Sequence, residues 1–174
     1  MSLILPWYYT AMNIDHILET FNTQRVAYLL IGGMNFLLRH APVLTFDVDL
    51  WIEDTPENRR RCEPTLAELQ AQWGTADADW GPVAEKRPGW LGRQAVFCLY
   101  SPFGAIDIFR ALKGLESWAE CRARSETCRT AAGVEFSALC DEDMLGCQLA
   151  LPEEERNHER IRFLQQRLGR QDAE

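Results

Sequence analysis

The stretch Phe46-Asp47-Val48-Asp49-Leu50-Trp51-Ile52 alternates residue by residue, with Phe46, Val48, Leu50 and Ile52 on one side and Asp47, Asp49 and Trp51 on the other. Successive side chains of a β-strand point to opposite faces, so this period of two predicts a half-buried strand over 46–52. A fold that accepts it must bury the apolar side and leave two carboxylates on the opposite face, roughly 6.5–7 Å apart along the backbone. At that spacing the pair is either the wet face of the strand or a convergent ligand set for one or two divalent ions. Magnesium suits such a set because it prefers carboxylate oxygens combined with substrate phosphates.

The segments on either side narrow the choice. Residues 26–31 form a continuous apolar run, as expected of a buried strand, and Gly32-Gly33 breaks it. Residues 34–40 then read as a short helix ended near Pro42. Glycines between a buried strand and a helix start make a tight turn, and they also let the backbone approach a ligand where free N–H groups attract phosphate. Upstream, residues 13–22 carry a helical pattern with Asn13 as N-cap and Ile14, Ile17, Leu18 and Phe21 on one face. Downstream, Thr55-Pro56 opens a helix to about Gln72, and Gly74 to Arg93 reads as a long connection.

Residues 95–100 and 105–109 are two strands joined through Ser101-Pro102-Phe103-Gly104, a hairpin signal. The second strand holds Asp107 in an otherwise apolar sequence. A carboxylate there needs a basic partner such as Arg110, a metal ion or a wet cleft, because an unpaired buried charge is costly. Residues 115–122 read as helix, 126–130 and 134–137 as strands flanking a turn, and 141–151 and 153–168 as two closing helices. The sum is an α/β chain with a mixed β-sheet flanked by helices, and residues 1–174 read as a single domain.

The net charge of −8 argues against general nucleic-acid binding, which relies on basic surface to neutralise phosphates. The run Arg59-Arg60-Arg61 and the Arg-rich C-terminal helix read as solvated faces. Six cysteines show neither Cys-x-x-Cys nor zinc-finger spacing, and they read as reduced thiols. The opening Met1 to Tyr9 is apolar but short, without a basic region or cleavage site, so neither a signal peptide nor a membrane span is expected, and the chain reads as cytoplasmic. Trp73, Trp80 and Trp90 either stack on a base or acceptor or close the edge of a core, the latter being the usual role. His40 reads as a structural hydrogen-bonder, and Glu53 and Asp54 as acids before a helix start.

The order strand, Gly-Gly, helix, Asp-x-Asp strand and later single-Asp strand is more specific than any of its parts. The segment LLIGGMNFLLRHAPVLTFDVDLWI resembles the signature of the DNA-polymerase-β-like nucleotidyltransferase superfamily, and AIDIF resembles its third-carboxylate strand. GVEFSALCDEDMLGCQLAL is similar to the segment after the core in bacterial abortive-infection and toxin–antitoxin-type nucleotidyltransferases. Antibiotic nucleotidyltransferases of the lincosamide and aminoglycoside type share the same core. The resemblance spans residues 13–168.

That resemblance implies a nucleotidyltransferase fold in which Asp47, Asp49 and Asp107 coordinate Mg²⁺ or Mn²⁺, with Asp107 also placed to act as general base. Gly32 and Gly33 would present backbone N–H groups to the phosphates of a nucleoside triphosphate. The implied reaction moves a nucleoside monophosphate to an acceptor hydroxyl on a small molecule, a protein or a tRNA. Toxin-type relatives carry a phosphate-contacting Lys in the helix after the last strand; here the position is Gln148, with Arg39, Lys113 or Arg156 as possible replacements for its charge. Met34 likewise replaces a hydroxyl residue after Gly33. These departures admit an alternative, a catalytically degenerate module that binds nucleotide or a partner protein.

Overall fold

The computed structural model describes residues 12–169, so the reading of residues 1–9 lies outside the described residues. The elements run α1 (Ile14–Thr23), β1 (Tyr28–Ile31), α2 (Gly32–Arg39), β2 (Asp47–Ile52), α3 (Pro56–Glu68), β3 (Gln72–Trp73) and β4 (Gly81–Pro82). They continue with β5 (Val96–Ser101), β6 (Gly104–Phe109), α4 (Trp118–Ala123), β7 (Glu126–Arg129), β8 (Glu135–Ala138), α5 (Asp141–Ala150) and α6 (His158–Arg167). The strands form one mixed sheet in the order β4-β3-β5-β6-β2-β1-β8-β7. β2 pairs antiparallel with β1 and parallel with β6, while β5 and β6 form the antiparallel hairpin expected around the 101–104 turn.

Two cores sandwich this sheet. On one face Ile17, Leu18 and Phe21 of α1 and Leu66 of α3 pack on Leu30, Val48, Leu50, Ile106 and Ile108. The other face carries Leu29, Ile31 and Trp51, covered by Met144 and Leu145 of α5 and Ile161 and Leu164 of α6. Pleating therefore sends Val48 and Leu50 into the first core and puts Asp47 and Asp49 on the second face. That second layer of helices does not cover β5, where Val96, Cys98 and Tyr100 alternate exposed with buried Phe97 and Leu99.

Caps set the helix starts. Asn13 accepts from His16 N at 3.0 Å, Thr55 from Asn58 N at 3.2 Å and Asn157 from Arg160 N at 3.0 Å. No helix among the described residues is long and apolar enough to cross a membrane, and all six cysteines are free thiols.

Several expectations need correction. Phe46 precedes β2 and is 74% exposed, while Trp51, assigned to the wet face with the two acids, is only 3% exposed. The reason is the covering layer: Trp118 of α4 donates its indole N–H to the Trp51 carbonyl at 3.0 Å and closes that end of the strand. α3 stops at Glu68, short of Gln72. The closing helix 153–168 is divided into a 3₁₀ turn, Glu153–Glu155, and a fresh start at His158 under the Asn157 cap. Trp73 and Trp90 stack at 5.5 Å and meet Phe97 edge-on, so both belong to the core, while Trp80 is 46% exposed.

Candidate active site

β2 and β6 run parallel with Asp49 directly beside Asp107, and Asp47 lies one pleat earlier on the same face. The three carboxylates come together: one ligand atom from each lies within 4.8 Å of the other two. No basic residue neutralises them by ion pairing among the described residues. Arg110, the obvious partner for Asp107, turns instead to Asp54, with contacts of 2.9 and 3.0 Å, and to the carbonyls of Gly92 and Gln94. Glu53 and Asp54 thus stand apart from the cluster, and Asp54 also binds Arg59.

Burial and the like charges of Asp47 and Asp107 push the Asp49 carboxyl up to about 7, opposed by the positive charge of Arg160. Asp107 is also raised, by burial and then by Asp47, with the cross-strand Cys98 thiol pulling the other way. Three carboxylates held this close, with Asp49 and Asp107 raised in proton affinity, form a site that favours a cation. The donor set, all carboxylate oxygen, fits a hard divalent ion such as Mg²⁺ or Mn²⁺.

The Gly-Gly turn sits against this cluster for a steric reason. Ile31 pairs with Asp49 across β1 and β2, so the residue after Ile31 meets the Asp49 side chain. Gly32 has φ of +66°, and a Cβ there would stand 2.1 Å from Asp49 Oδ2. A Cβ on Gly33 would stand 3.0 Å from Thr45 Oγ1 and 3.4 Å from Arg160 Nη2. α2 therefore begins with bare backbone beside the carboxylates, and no side chain caps its start.

A cavity of about 950 Å³ opens from Gly32 and Asp49 and runs under α5, past Phe109 to Lys113. Its walls are mostly apolar, including Val96, Met144 and Leu151. Gln148 lines it; its Oε1 accepts from Asn157 N at 2.9 Å, and its –NH₂ can donate to a ligand.

The proposed replacements for the missing lysine are not equivalent. Arg39 is held by Glu126 at 2.6 Å, Asp141 at 3.0 Å and the Leu139 carbonyl at 3.0 Å. Arg156 binds the carbonyls of Leu149 and Leu151 and the Glu153 carboxylate. Lys113 lines the cavity. His40 contacts Asp141 Oδ1 at 2.7 Å, a structural role.

The residue that sequence reasoning missed is Arg160. It belongs to the C-terminal helix read as a solvated face, yet it lines the cavity with its guanidinium 5.4 Å from the Phe36 ring centroid. The sequence carries no local signal for it, because packing of α6 against α2 selects which arginine turns inward.

No protein-family model matches the chain, and a comparison with curated proteins finds no match. Solved structures do match. The lincosamide antibiotic adenylyltransferase LnuA, with lincomycin bound, superposes with a TM-score of 0.58 at 14% identity, covering 88% of this chain and 97% of its own. ANT(2″)-Ia, in complex with adenylyl-2″-tobramycin, gives 0.56 at 16% identity, covering 90% and 87%. A Thermotoga maritima protein put forward as a nucleotidyltransferase gives 0.50 at 14% identity, covering 91% of each chain. The chain shares the nucleotidyltransferase fold of these structures. Within it, the acidic cluster of this chain comes from the same three residues that carried the sequence resemblance.

Proposed function

We propose that this chain, acting as one domain, is a metal-dependent nucleotidyltransferase that moves a nucleoside monophosphate from a nucleoside triphosphate to an acceptor hydroxyl. The observation that carries the reading is the unneutralised cluster of Asp47, Asp49 and Asp107 against the bare Gly32-Gly33 turn. Asp47 and Asp49 on β2 and Asp107 on β6 would hold Mg²⁺ or Mn²⁺. When bound, the ion offsets negative charge on the triphosphate and on the departing pyrophosphate. Gly32 and Gly33 bring backbone N–H groups to the phosphates, and Gln148 adds its amide N–H. Asp107 takes the acceptor hydroxyl proton as the acceptor oxygen bonds to the α-phosphorus and the α–β bridging bond breaks.

A small hydroxylated molecule is the acceptor best supported. The two antibiotic-modifying proteins share the fold over most of the chain, and the net charge of −8 disfavours tRNA. The likeness to toxin–antitoxin types rests on the 133–151 segment alone. A reducing cytosol suits the six free thiols.

Incubation with each α-³²P-labelled triphosphate, Mg²⁺ or Mn²⁺ and a panel of aminoglycosides and lincosamides tests the reading. Metal-dependent transfer or pyrophosphate release is expected, falling at least about 100-fold in Asp49→Ala, because metal-based charge stabilisation supplies several kcal/mol. Metal-dependent nucleotide binding that Asp49→Ala abolishes, without turnover on any acceptor, would favour the degenerate module, whose sequence support is Gln148. Absence of nucleotide binding would sink both.

A further inference from the structure

Most arginines set into the helical layer around this site are already engaged. Arg39 and Arg167 serve Asp141, and Arg156 serves backbone carbonyls and Glu153. Arg160 differs. Among the described residues its guanidinium feels the Asp49 charge but makes no ion pair, and its Nε is buried with no hydrogen-bond partner. A buried guanidinium N–H without an acceptor carries a desolvation cost that a native fold retains where a ligand supplies the missing acceptor.

Its surroundings say what kind of ligand. The guanidinium lies over the Phe36 ring, 5.4 Å from its centroid, and Nη2 stands 3.4 Å from the point where a Gly33 side chain would begin. The uncapped start of α2 and the wall of the same cavity lie beside it. A planar fork with free donors, next to free backbone N–H groups and across from three carboxylates that demand a cation, matches an oligophosphate bridged to a metal.

We propose that Arg160 binds the β- or γ-phosphate of the triphosphate substrate, supplying from α6 the positive charge that Gln148 of α5 lacks. The assignment rests on the nucleotidyltransferase reading. It also removes the main sequence argument for a degenerate site, since the charge is relocated by one helix and not lost. Gly33 takes on a second role here, because a Cβ there would crowd Thr45 Oγ1 at 3.0 Å and come into van der Waals contact with this guanidinium.

Calorimetric titration of the whole chain with inorganic tripolyphosphate, and separately with each nucleoside monophosphate, in Mg²⁺ separates the possibilities. Wild type, Arg160→Met and Arg160→Lys are compared, with thermal unfolding to verify the fold. Arg160→Met is expected to weaken tripolyphosphate about 30-fold, the range for a lost charge-assisted hydrogen bond, and Arg160→Lys by less. Monophosphate affinity should move less than about 3-fold, since the α-phosphate lies with the carboxylates. Unchanged tripolyphosphate affinity in Arg160→Met overturns the assignment and leaves the enzyme reading standing. Equal losses for tripolyphosphate and monophosphate overturn it in favour of a structural role. If wild type binds neither tripolyphosphate nor any nucleoside triphosphate, the assignment and the reading beneath it fall together. Should Arg160→Met not fold, Arg160→Lys and Arg160→Gln carry the same comparison.

Discussion

Two groups of charged side chains lie on the same side of this sheet, and they are built on opposite principles. Around the start of α5, Asp141 is closed in by His40 at 2.7 Å, Arg39 at 3.0 Å and Arg167 at 2.7 Å. Burial alone would raise its pKa, but the hydrogen bonds from His40 and Arg167 and the charge of Arg39 hold it below the usual carboxylate range. At the β2–β6 junction the balance is reversed, and burial together with neighbouring acids lifts Asp49 to about 7. A satisfied ion cluster locks helices α2, α5 and α6 together; an unsatisfied one keeps free energy in reserve for a ligand.

The largest test of that contrast is a pair of single substitutions. Asp141→Ala breaks the contacts to His40, Arg39 and Arg167 at once, leaving Arg39 to Glu126 and the Leu139 carbonyl, and it should destabilise the fold by about 3–5 kcal/mol, as loss of one partner from a buried cluster does. Asp49→Asn removes repulsion and is expected to leave the metal-free protein equally or more stable. Urea unfolding of both variants measures this. A loss of similar size in Asp49→Asn would show that Asp49 is structural and would end the contrast.

The legible parts of the site were those where chemistry and period coincide in a short window. Asp47, Asp49, the Gly-Gly break and the strand alternation all fall between 32 and 52, so local geometry alone places them together. Asp107 was legible because an acid stands out in an apolar strand, but its place beside Asp49 depends on a parallel pairing that no local pattern encodes. Arg160 was not legible as a site residue. Its helix reads as polar, and only tertiary packing of α6 against α2 decides which arginine turns inward. Trp51 failed for a related reason: alternation assigns it a face but cannot say that α4 covers that face. The break before His158 was missed because a run of glutamates reads as helix, while the Asn157 cap and the Arg156 bonds to preceding carbonyls select a turn.

A smaller effect tests the steric link between the turn and the open cluster. Gly32→Ala forces an L side chain into φ of +66° and against Asp49 Oδ2. Strain of this kind costs about 1–3 kcal/mol. The same change should lower divalent-ion affinity, because the Asp49 carboxylate must move. Manganese titration by electron paramagnetic resonance gives the readout, and unaltered Mn²⁺ affinity in a folded Gly32→Ala would detach the turn from the site.

The contrast also predicts a pH dependence with a definite sign. Asp49 holds its proton more tightly folded, at about 7, than in the unfolded chain, so between roughly pH 4 and 7 the native state binds more protons. The raised Asp107 adds in the same direction. Stability of the metal-free protein should therefore fall as pH rises through that window, by about 2 kcal/mol once coupling within the cluster is discounted. Asp141, with its lowered value, acts the other way, and its contribution is lost only as the pH drops below the ordinary carboxylate range. Guanidinium unfolding at pH 5 and pH 8 in chelator distinguishes the two groups. A chain more stable at pH 8, with Asp49→Asn showing the same profile, would mean that the acids are solvated and uncoupled.

Divalent metal should erase that slope. An ion that binds the folded carboxylates and not the unfolded chain stabilises by about 1.4 kcal/mol at ten times its dissociation constant. The gain is greatest near pH 8, where the acids are ionised, and shrinks near pH 5, where protons compete for Asp49. The Asp141 cluster has no place for a cation among its basic partners, so Asp141→Asn should retain the full increment while Asp49→Asn loses it. Equal stabilisation of both variants by Mg²⁺ would place the ion elsewhere and leave the three carboxylates without the role their geometry suggests.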